Sequence, residues 1–594
     1  MQPKKSKPNT GLLRSLGRGA ETLGQSARVT LKSLIVSGLI SGVLTIGATV
    51  AYLAYAQPGT PSVVWAWAKA ETVCPIETTM GILPVGNKRP DWLAVNDPHG
   101  QPWYPCALAD QLRPGVWAWG GDYARTGGVI WLLSTAVVTG MIARRGRRQV
   151  GDQWERGAQV IEASKFKPDY LSRIAVAGVP LPPDTETQHL LAQGAPGTGK
   201  STIIFDLADQ ARARRDRCIF YDSTGELIQL YYRQDRGDVI LNSLCAESEH
   251  WTPWADMRYP WDGTNLANWL IPLDNTTDQF WALGARALLG AGLDRTPEQS
   301  VVTLLDGLCT TNLKALGKLA QGTAAAALIS EKNAKTALGV QATLAANTQS
   351  LRYLWAEGNG QKPFGIGDWI KNGPAGSCLF IASPADQQQA LRPLLTVWWE
   401  IAATTILSLP PSRDRRIWLF LDELPTLGRL EAVPRLLAQG RKYGVCGVLG
   451  IQSYAQLKEI YGDAGANAMG GQCSTWVTLR VPDPESAEWA AKGLGEYEVT
   501  ETTEGLSYGG RLDGLRISQS RQKRLVVLPS EIQALPDLEG YLRLSGSHPI
   551  IKITPGRKDR PALGPELTPI DPRRTVYGVL GGIPAHLQNI EDQA

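Results

Sequence analysis

Residues 194–201 read Gly-Ala-Pro-Gly-Thr-Gly-Lys-Ser, and this stretch decides the fold. It matches G-x-x-x-x-G-K-[ST] in full, with an apolar, strand-like run before it and helically spaced apolar residues after it. Glycines let backbone N–H groups surround a polyphosphate, and the following helix adds its positive end. A glycine-rich turn without a ligand is the alternative, and the flanking strand and helix disfavour it. The predicted phosphate-binding residues are Gly194, Ala195, Pro196, Gly197, Thr198, Gly199, Lys200, Ser201 and Thr202.

Two carboxylates indicate what happens to the bound triphosphate. An apolar run at 417–421 resembles a buried parallel strand, and it ends in Asp422 and Glu423. We expect Lys200 to reach the β- and γ-phosphates and the Ser201 hydroxyl to ligate Mg²⁺. Asp422 would hold the Mg²⁺ hydration shell, and Glu423 would be the general base that polarises water. Solvated acids at an ordinary strand end are the alternative, which the phosphate loop makes less probable.

Two further polar residues follow the same pattern. Gln452 ends the apolar run 448–451, where its amide can sense the γ-phosphate or the attacking water. Arg441 lies between a predicted helix at 432–439 and that strand, and in a ring of subunits it can act as an arginine finger on the neighbour. A solvated cation at a helix end remains the alternative for Arg441.

The organisation of the chain is predicted from its apolar patterns. Strands alternate with helices, which favours an α/β fold with a mostly parallel sheet covered on both faces. Helical spacing dominates one long stretch, which predicts an all-α insertion between the two nucleotide motifs. The segment after 556 is rich in Pro, Gly and charge, so we expect a flexible tail. The predicted divisions are 144–250 and 364–556 for the nucleotide-binding domain, 251–363 for the all-α domain and 557–594 for the tail.

The first 143 residues predict a membrane anchor. The segments 33–56 and 126–143 carry no charge and are long enough to span a bilayer. Basic residues precede the first and follow the second, so 1–32 and the main domain should be cytoplasmic and 57–125 external. A cleaved signal peptide is the alternative for the first span, but its apolar stretch is too long.

Charge and cysteine use add little about partners. The net charge of +4 is too small to announce nucleic-acid binding. Cys74 and Cys106 are the only cysteines in the predicted external loop, where they can form a disulfide. The other six are scattered and suggest buried thiols in a reducing compartment.

Several motifs in register resemble one family. The segments 193–201, 420–424, 439–444 and 451–453, after two N-terminal spans, resemble the type IV coupling proteins of bacterial conjugation, in particular the TraD/TrwB branch. The resemblance implies a RecA-like ATPase that uses ATP and Mg²⁺ and works as a homo-hexamer in the bacterial inner membrane. It implies relaxase-linked single-stranded DNA as cargo, and relaxosome proteins and secretion-channel components as partners. By the same resemblance Lys200, Ser201, Asp422 and Glu423 form the ATPase core, Gln452 is the sensor and Arg441 is the trans finger.

Two other functions stay open from sequence. A chromosome-partition DNA pump of the FtsK kind has a similar core, but usually more spans and a winged-helix module. A receptor whose nucleotide site only gates assembly needs no general base, and the intact pair Asp422 and Glu423 therefore argues against it. DNA-stimulated turnover separates a motor from such a receptor.

Overall fold

The computed structural model describes residues 153–581 except 274–278, 297–298, 330, 357–361 and 508–513, together with isolated residues between 35 and 137. Contacts divide the chain into two units. One comprises 1–153 with 500–520, and the other comprises 154–499 with 521–594.

Little of the first unit is described. The segments Val95–Asn96 and Pro102–Trp103 pair as an antiparallel ribbon. The indole Nε1 of Trp131 donates to the carbonyl of Gly38 at 3.2 Å. Among the described residues, no helix is both long enough and apolar enough to cross a membrane.

Several sequence predictions fall on this unit. Most of the predicted spans 33–56 and 126–143 lies outside the described residues, and so do all of 1–32 and most of 57–125. Cys74 and Cys106 also lie outside them. The anchor, its orientation and the disulfide therefore stay predictions.

The second unit is built on a ten-stranded sheet with a two-stranded accessory sheet. The strands described from residue 153 onward are β1 Gln153–Gly157, β2 Val160–Glu162, β3 Ala175–Val176, β4 Val179–Pro180, β5 Leu190–Gln193, β6 Arg217–Asp222, β7 Val239–Leu241, β8 Cys378–Ala382, β9 Ile417–Leu421, β10 Val445–Ile451, β11 Thr475–Thr478, β12 Glu496–Ser507, β13 Gly514–Leu525, β14 Gly540–Arg543 and β15 Ile550–Ile553.

The large sheet runs in the order β2-β15-β14-β11-β5-β10-β9-β6-β8-β7. The seven strands from β11 to β7 are mutually parallel, whereas β14 is antiparallel to both of its neighbours. Because β5, β10 and β9 are adjacent and parallel, the loops that follow them meet at one edge. The predicted mostly parallel sheet is what the structure contains.

The helices of the second unit cover both faces of the sheet. They are α1 Lys200–Ala213, α2 Glu226–Tyr231, α3 Pro253–Asp256, α4 Asp262–Leu270, α5 Gln279–Arg295, α6 Val301–Leu305, α7 Leu313–Ala320, α8 Ala334–Asn347, α9 Ile366–Asn372, α10 Gln388–Leu407, α11 Ala432–Gln439, α12 Tyr454–Gln472, α13 Pro484–Leu494, α14 Pro529–Gln533 and α15 Val576–Val579.

Alternating strand residues divide the interior into two cores. Phe220 and its neighbours on the same face pack against α1 and α2, whereas Ile219 and Tyr221 face the opposite core. Phe220 stacks between Phe420 and Phe380 of the adjacent strands, with ring centroids 4.9 and 5.0 Å apart. This aromatic row fixes the register of the central strands that carry the site.

Every regular element described between Pro253 and Tyr353 is helical. Helix α5 packs against both α4 and α8, and α4 also packs on α10. Their buried leucines, including Leu288 and Leu344, belong to one apolar core that also contains Leu419 and Leu449 of the sheet. The helical region therefore rests on the sheet through a shared core.

The expectation of a flexible tail from 557 is wrong for residues 557–581. The N–H groups of Leu563 and Gly564 donate to the carbonyl of Gln229 at 2.7 and 2.9 Å, and Val576 is fully buried. Gly564 allows close packing in this stretch, because a Cβ at this position would lie 2.1 Å from the carbonyl oxygen of Ile228. Residues 582–594 are not among those described.

Candidate nucleotide-binding site

The phosphate loop connects β5 to α1 at the carboxyl edge of the sheet. Gly197 and Gly199 have φ values of 79° and 109°, which residues with a side chain rarely adopt. The hydroxyl of Thr198 donates to the Ala195 carbonyl at 2.7 Å and closes the loop on itself. Within the described part of the chain, the N–H groups of Gly197 and Gly199 have no acceptor. These groups, with the first turn of α1, are available to an anion.

The sequence-predicted core residues come together at this loop. The Lys200 ammonium lies 2.8 Å from Oε2 of Glu423, and the same oxygen accepts from the Gln452 amide at 2.8 Å. The Ser201 hydroxyl donates to Oδ2 of Asp422 at 3.0 Å. Lys200 and Glu423 are 8% and 15% exposed, so their ion pair is nearly shut off from solvent. Residues at the start of α1 and at the ends of β9 and β10 thus converge on one cluster.

The electrostatic environment of Asp422 is that of a cation-binding residue. Burial raises the pKa of its carboxyl, and the positive charge of Lys200 and the hydrogen bond from Ser201 only partly offset this effect. Its Oδ1 is buried and has no hydrogen-bond partner among the described residues. A buried carboxylate with one oxygen lacking a hydrogen-bond partner is well suited to bind a cation.

Gln452 is held in place by the structure on both sides of it. It follows the last residue of β10, and the next residue, Ser453, caps α12 by accepting the N–H of Gln456 at 3.3 Å. A strand end and a helix cap therefore fix the backbone on both sides of the amide. The side chain consequently points at Glu423, as the distance between them requires.

The turn after β6 contributes groups that sequence reasoning left out. The buried carboxylate of Asp222 accepts the N–H groups of Thr224, Gly225 and Ile228, at 3.1, 2.7 and 2.8 Å. The turn directs Glu226 into the cavity, where burial, then Asp422 and Asp222, raises the pKa of its carboxyl. Glu226 therefore reaches the site through the fold of this turn, and no motif used in the sequence analysis marks it.

These groups line a cavity of about 580 Å³, called here the nucleotide cavity. All of the phosphate-loop residues predicted from sequence line it except Gly194 and Thr198. Lys200, Ser201, Asp422, Glu423 and Gln452 also line it. Further lining residues that the sequence did not single out include Phe205, Tyr221, Glu226, Thr426 and Arg557. The volume and the polar end of the cavity suit a nucleotide.

Arg441 lies elsewhere. It stands on the short turn Gly440–Tyr443 between α11 and β10, at the amino edge of the sheet, and it is exposed. There it lines a second cavity of about 960 Å³ with Arg413, Arg416 and Lys442. The structure does not bring Arg441 to the nucleotide cavity of its own chain. If Arg441 contacts a nucleotide, that nucleotide must therefore be bound to another subunit.

His189 is a buried residue close to Arg441. Its Nδ1 accepts the N–H of Gly447 at 3.0 Å and its Nε2 lies 2.9 Å from the Leu437 carbonyl, which assigns the proton to Nε2. Burial, with the positive charge of Arg441, lowers the pKa of the imidazole to about 4. The ring is therefore a neutral structural connector between β5, α11 and β10.

The chain is similar to known proteins in both sequence and structure. Residues 173–555 match a family model described as the type IV secretion-system coupling protein DNA-binding domain. The chain is similar to "Coupling protein TraD" of Escherichia coli (strain K12), with 34% identity over 457 residues, which are 75% of this chain and 64% of that protein. The match thus spans less than two thirds of that relative's length.

Solved structures of a coupling protein are also similar to this chain. The plasmid coupling protein TrwB in complex with the non-hydrolysable ATP analogue ADPNP superposes with a TM-score of 0.60 at 30% identity, over 70% of this chain and 96% of that one. TrwB in complex with ADP and Mg²⁺ gives 0.59 at 30% identity, with the same coverage of both chains. The predicted RecA-like α/β fold is confirmed, and because the family model covers more than half of the sequence, this chain belongs to the type IV secretion-system coupling proteins.

Proposed function

We propose that this protein is the inner-membrane coupling protein of a conjugative type IV secretion system. It is an ATP-driven motor that recruits relaxase-bound single-stranded DNA, together with relaxosome proteins, and moves the DNA to the secretion channel. Membership in the coupling-protein family and the description of its model as a DNA-binding domain support this role. The observation that carries the motor is the cluster of Lys200, Ser201, Asp422, Glu423 and Gln452 at one sheet edge.

The residues present fit ATP and Mg²⁺. The phosphate loop offers free N–H groups and a lysine, and Asp422 offers a buried oxygen without a partner beside the Ser201 hydroxyl. TrwB, the relative of known structure, binds ADPNP and also ADP with Mg²⁺. Asp422 and Ser201 would hold the metal, and Mg²⁺ bound there neutralises phosphate charge.

Each polar residue then has a separate task in hydrolysis. Lys200 leaves Glu423 for the triphosphate, because phosphate oxygens carry more negative charge than one carboxylate. Glu423, freed from that ion pair, accepts the proton of the attacking water. Gln452, whose amide already donates to Glu423 at 2.8 Å, orients that water.

The working assembly is a ring of six subunits in which Arg441 acts on the neighbour. Two observations support this: Arg441 is exposed, and it lies at the sheet edge opposite its own phosphate loop. Arg413 and Lys442 beside it make a basic surface that suits a neighbour's phosphates. The uncharged segments 33–56 and 126–143 anchor the ring in the membrane, with both termini in the cytoplasm.

The test is ATP turnover by the full chain in detergent, with and without single-stranded DNA. DNA should stimulate the wild type, whereas Lys200→Ala should be inactive and Lys492→Ala, an exposed lysine of α13, should be unchanged. Binding of ATP without turnover would refute the motor and leave a nucleotide-gated receptor. Stimulation by duplex DNA alone would favour an FtsK-like pump.

Mixed rings test the trans role of Arg441. We expect Arg441→Ala to bind ATP normally and to lose DNA-stimulated turnover. In equal mixtures with Lys200→Ala, about one quarter of random interfaces pair an intact loop with an intact finger, so partial activity should return. If mixed rings form and stay inactive, Arg441 is a structural helix-end cation instead.

A further inference from the structure

A C-terminal segment passes over the nucleotide helix. After β15 ends at Ile553, residues 554–570, called here the C-terminal strap, lie across α1 and α2. Lys558 forms an ion pair with Asp206, and Arg560 pairs with Asp209 at 2.7 Å. The strap is therefore fixed by two ion pairs to α1, the helix that begins at Lys200.

Further contacts hold the strap along its length. The Arg560 guanidinium lies over the Phe205 ring, 5.6 Å from its centroid. Leu563 and Gly564 donate their N–H groups to Gln229 in α2, and the N–H of Ile570 donates to Leu244 at 2.9 Å. These bonds define one path for the backbone, so the strap presents its basic residues at fixed positions.

Arg557 is the basic residue of the strap whose charge is unused. Its neighbours Lys558 and Arg560 are each paired with an aspartate, whereas Arg557 makes no hydrogen bond or ion pair in the described part of the chain. It is exposed, and it lines the nucleotide cavity together with Lys200 and Phe205. A cation held at the mouth of a phosphate site without a partner is placed for an anionic ligand.

We propose that Arg557 binds the nucleotide, and that nucleotide binding further stabilises the C-terminal strap in its position across α1. This inference rests on the proposed nucleotide site and adds a residue that no motif in the sequence marks. Arg557 serves the α-phosphate and nucleoside end. The strap crosses α1 at Phe205 and Asp206, beyond the loop, whereas Glu423 and Gln452 stand after β9 and β10.

This placement separates Arg557 from the residues of hydrolysis. A contact near the α-phosphate is made equally with ATP and ADP, so losing it weakens both by the same factor. A contact with the γ-phosphate would instead change ATP binding alone. The two possibilities give different results with the same pair of probes.

The first experiment titrates the full chain in detergent with fluorescent ADP and with a non-hydrolysable ATP analogue. Arg557→Ala should weaken both about ten-fold, the loss of one charge-assisted hydrogen bond. Arg557→Lys should lose less, and Asp559→Ala, an exposed neighbour on the same strap, should bind like the wild type. Wild-type affinity in Arg557→Ala, or an equal loss in Asp559→Ala, overturns the proposal.

The second experiment follows amide hydrogen exchange with and without ADP. The Leu563 and Gly564 amides should become more protected in the wild type but not in Arg557→Ala, while the phosphate loop is protected in both. The Val576 amide, which donates to Leu354 at 2.9 Å in the core, should report an intact fold in both proteins. If ADP protects the phosphate loop of the wild type but leaves the exchange of the strap amides unchanged, the proposed stabilisation of the strap is overturned.

These results are distinct from a failure of the proposed function. If the chain lacked a nucleotide site, ADP would protect neither the strap nor residues 194–202, and Lys200→Ala would exchange like the wild type. If the site exists and Arg557 has no part in it, the loop is protected and the strap is not. The measurements therefore separate the two conclusions.

Discussion

Replacing Glu423 by Gln should make the nucleotide bind more tightly while hydrolysis almost stops. In the nucleotide-free protein Glu423 holds the Lys200 ammonium at 2.8 Å, and both side chains are nearly buried. Glutamine keeps an oxygen that can accept the hydrogen bond but removes the charge. The substitution should therefore cost the nucleotide-free protein about 1–2 kcal/mol, the difference between a charged and a neutral hydrogen bond.

That cost does not recur when a triphosphate is bound, because phosphate then pairs with Lys200 in both proteins. The difference returns as affinity, so Glu423→Gln should bind ADP and ATP analogues about 5- to 30-fold more tightly. Turnover should fall by about 10²–10⁴, the usual contribution of a general base. Glu423→Gln should therefore lower the stability of the nucleotide-free protein, raise its affinity for nucleotide and lower its turnover rate.

The assay combines thermal unfolding without nucleotide, titration with fluorescent ADP, and steady-state ATP turnover. Glu431→Gln is the matched control, because Glu431 is 64% exposed and pairs with Arg429 on the surface. Normal turnover in Glu423→Gln would remove its assignment as the base. Weaker nucleotide binding with an unchanged melting temperature would show that the Lys200 ion pair does not compete with phosphate.

Three further predictions concern protonation and pairing. Burial raises the pKa of Asp422, so the free energy of unfolding falls as the pH rises through that pKa. Without nucleotide, Asp422→Asn should therefore melt at a higher temperature than the wild type near pH 8. That gain should vanish near pH 4, and an equal gain at both pH values would contradict it. His189, with a pKa of about 4, supports the fold above about pH 6.5, so lowering the pH from 7 to 5 should cost about 2 kcal/mol of unfolding free energy. His189→Gln should lose this dependence in urea unfolding, and an unaltered pH profile would exclude His189 as its source. Mass mapping without reductant should find Cys74 linked to Cys106, a bond worth about 3–4 kcal/mol in the chain-entropy model, and two free thiols would exclude it.

The core of the site could be predicted from sequence because each part is local. The phosphate loop is eight consecutive residues, and Asp422 with Glu423 ends a five-residue apolar run. Only one assumption joins them, that parallel strands end at a common edge, and β5, β10 and β9 satisfy it. Gln452 came with the same assumption, because it too follows one of these strands.

The residues that sequence reasoning missed depend on contacts between distant segments. Glu226 enters the cavity because Asp222 folds the turn before it, through three hydrogen bonds from backbone N–H groups. Arg557 enters because the C-terminal strap is paired with α1, more than 340 residues earlier in the chain. Composition predicted disorder there, since it counts Pro, Gly and charge but cannot show that Gly564 fits against the Ile228 carbonyl.

The position of β10 links the two ends of the proposed mechanism. This strand lies between β5, which carries the phosphate loop, and β9, which carries the two carboxylates. Gln452 follows its carboxyl end and donates to Glu423, whereas Arg441 stands on the turn before its amino end. Every residue of β10 is buried, so the strand cannot shift without moving both cores. A ring in which Arg441 contacts one nucleotide and Gln452 another would therefore connect successive sites through one rigid strand. In such a ring, Arg441 and Gln452 at opposite ends of β10 would serve different nucleotides, in agreement with the absence of Arg441 from the nucleotide cavity of its own chain.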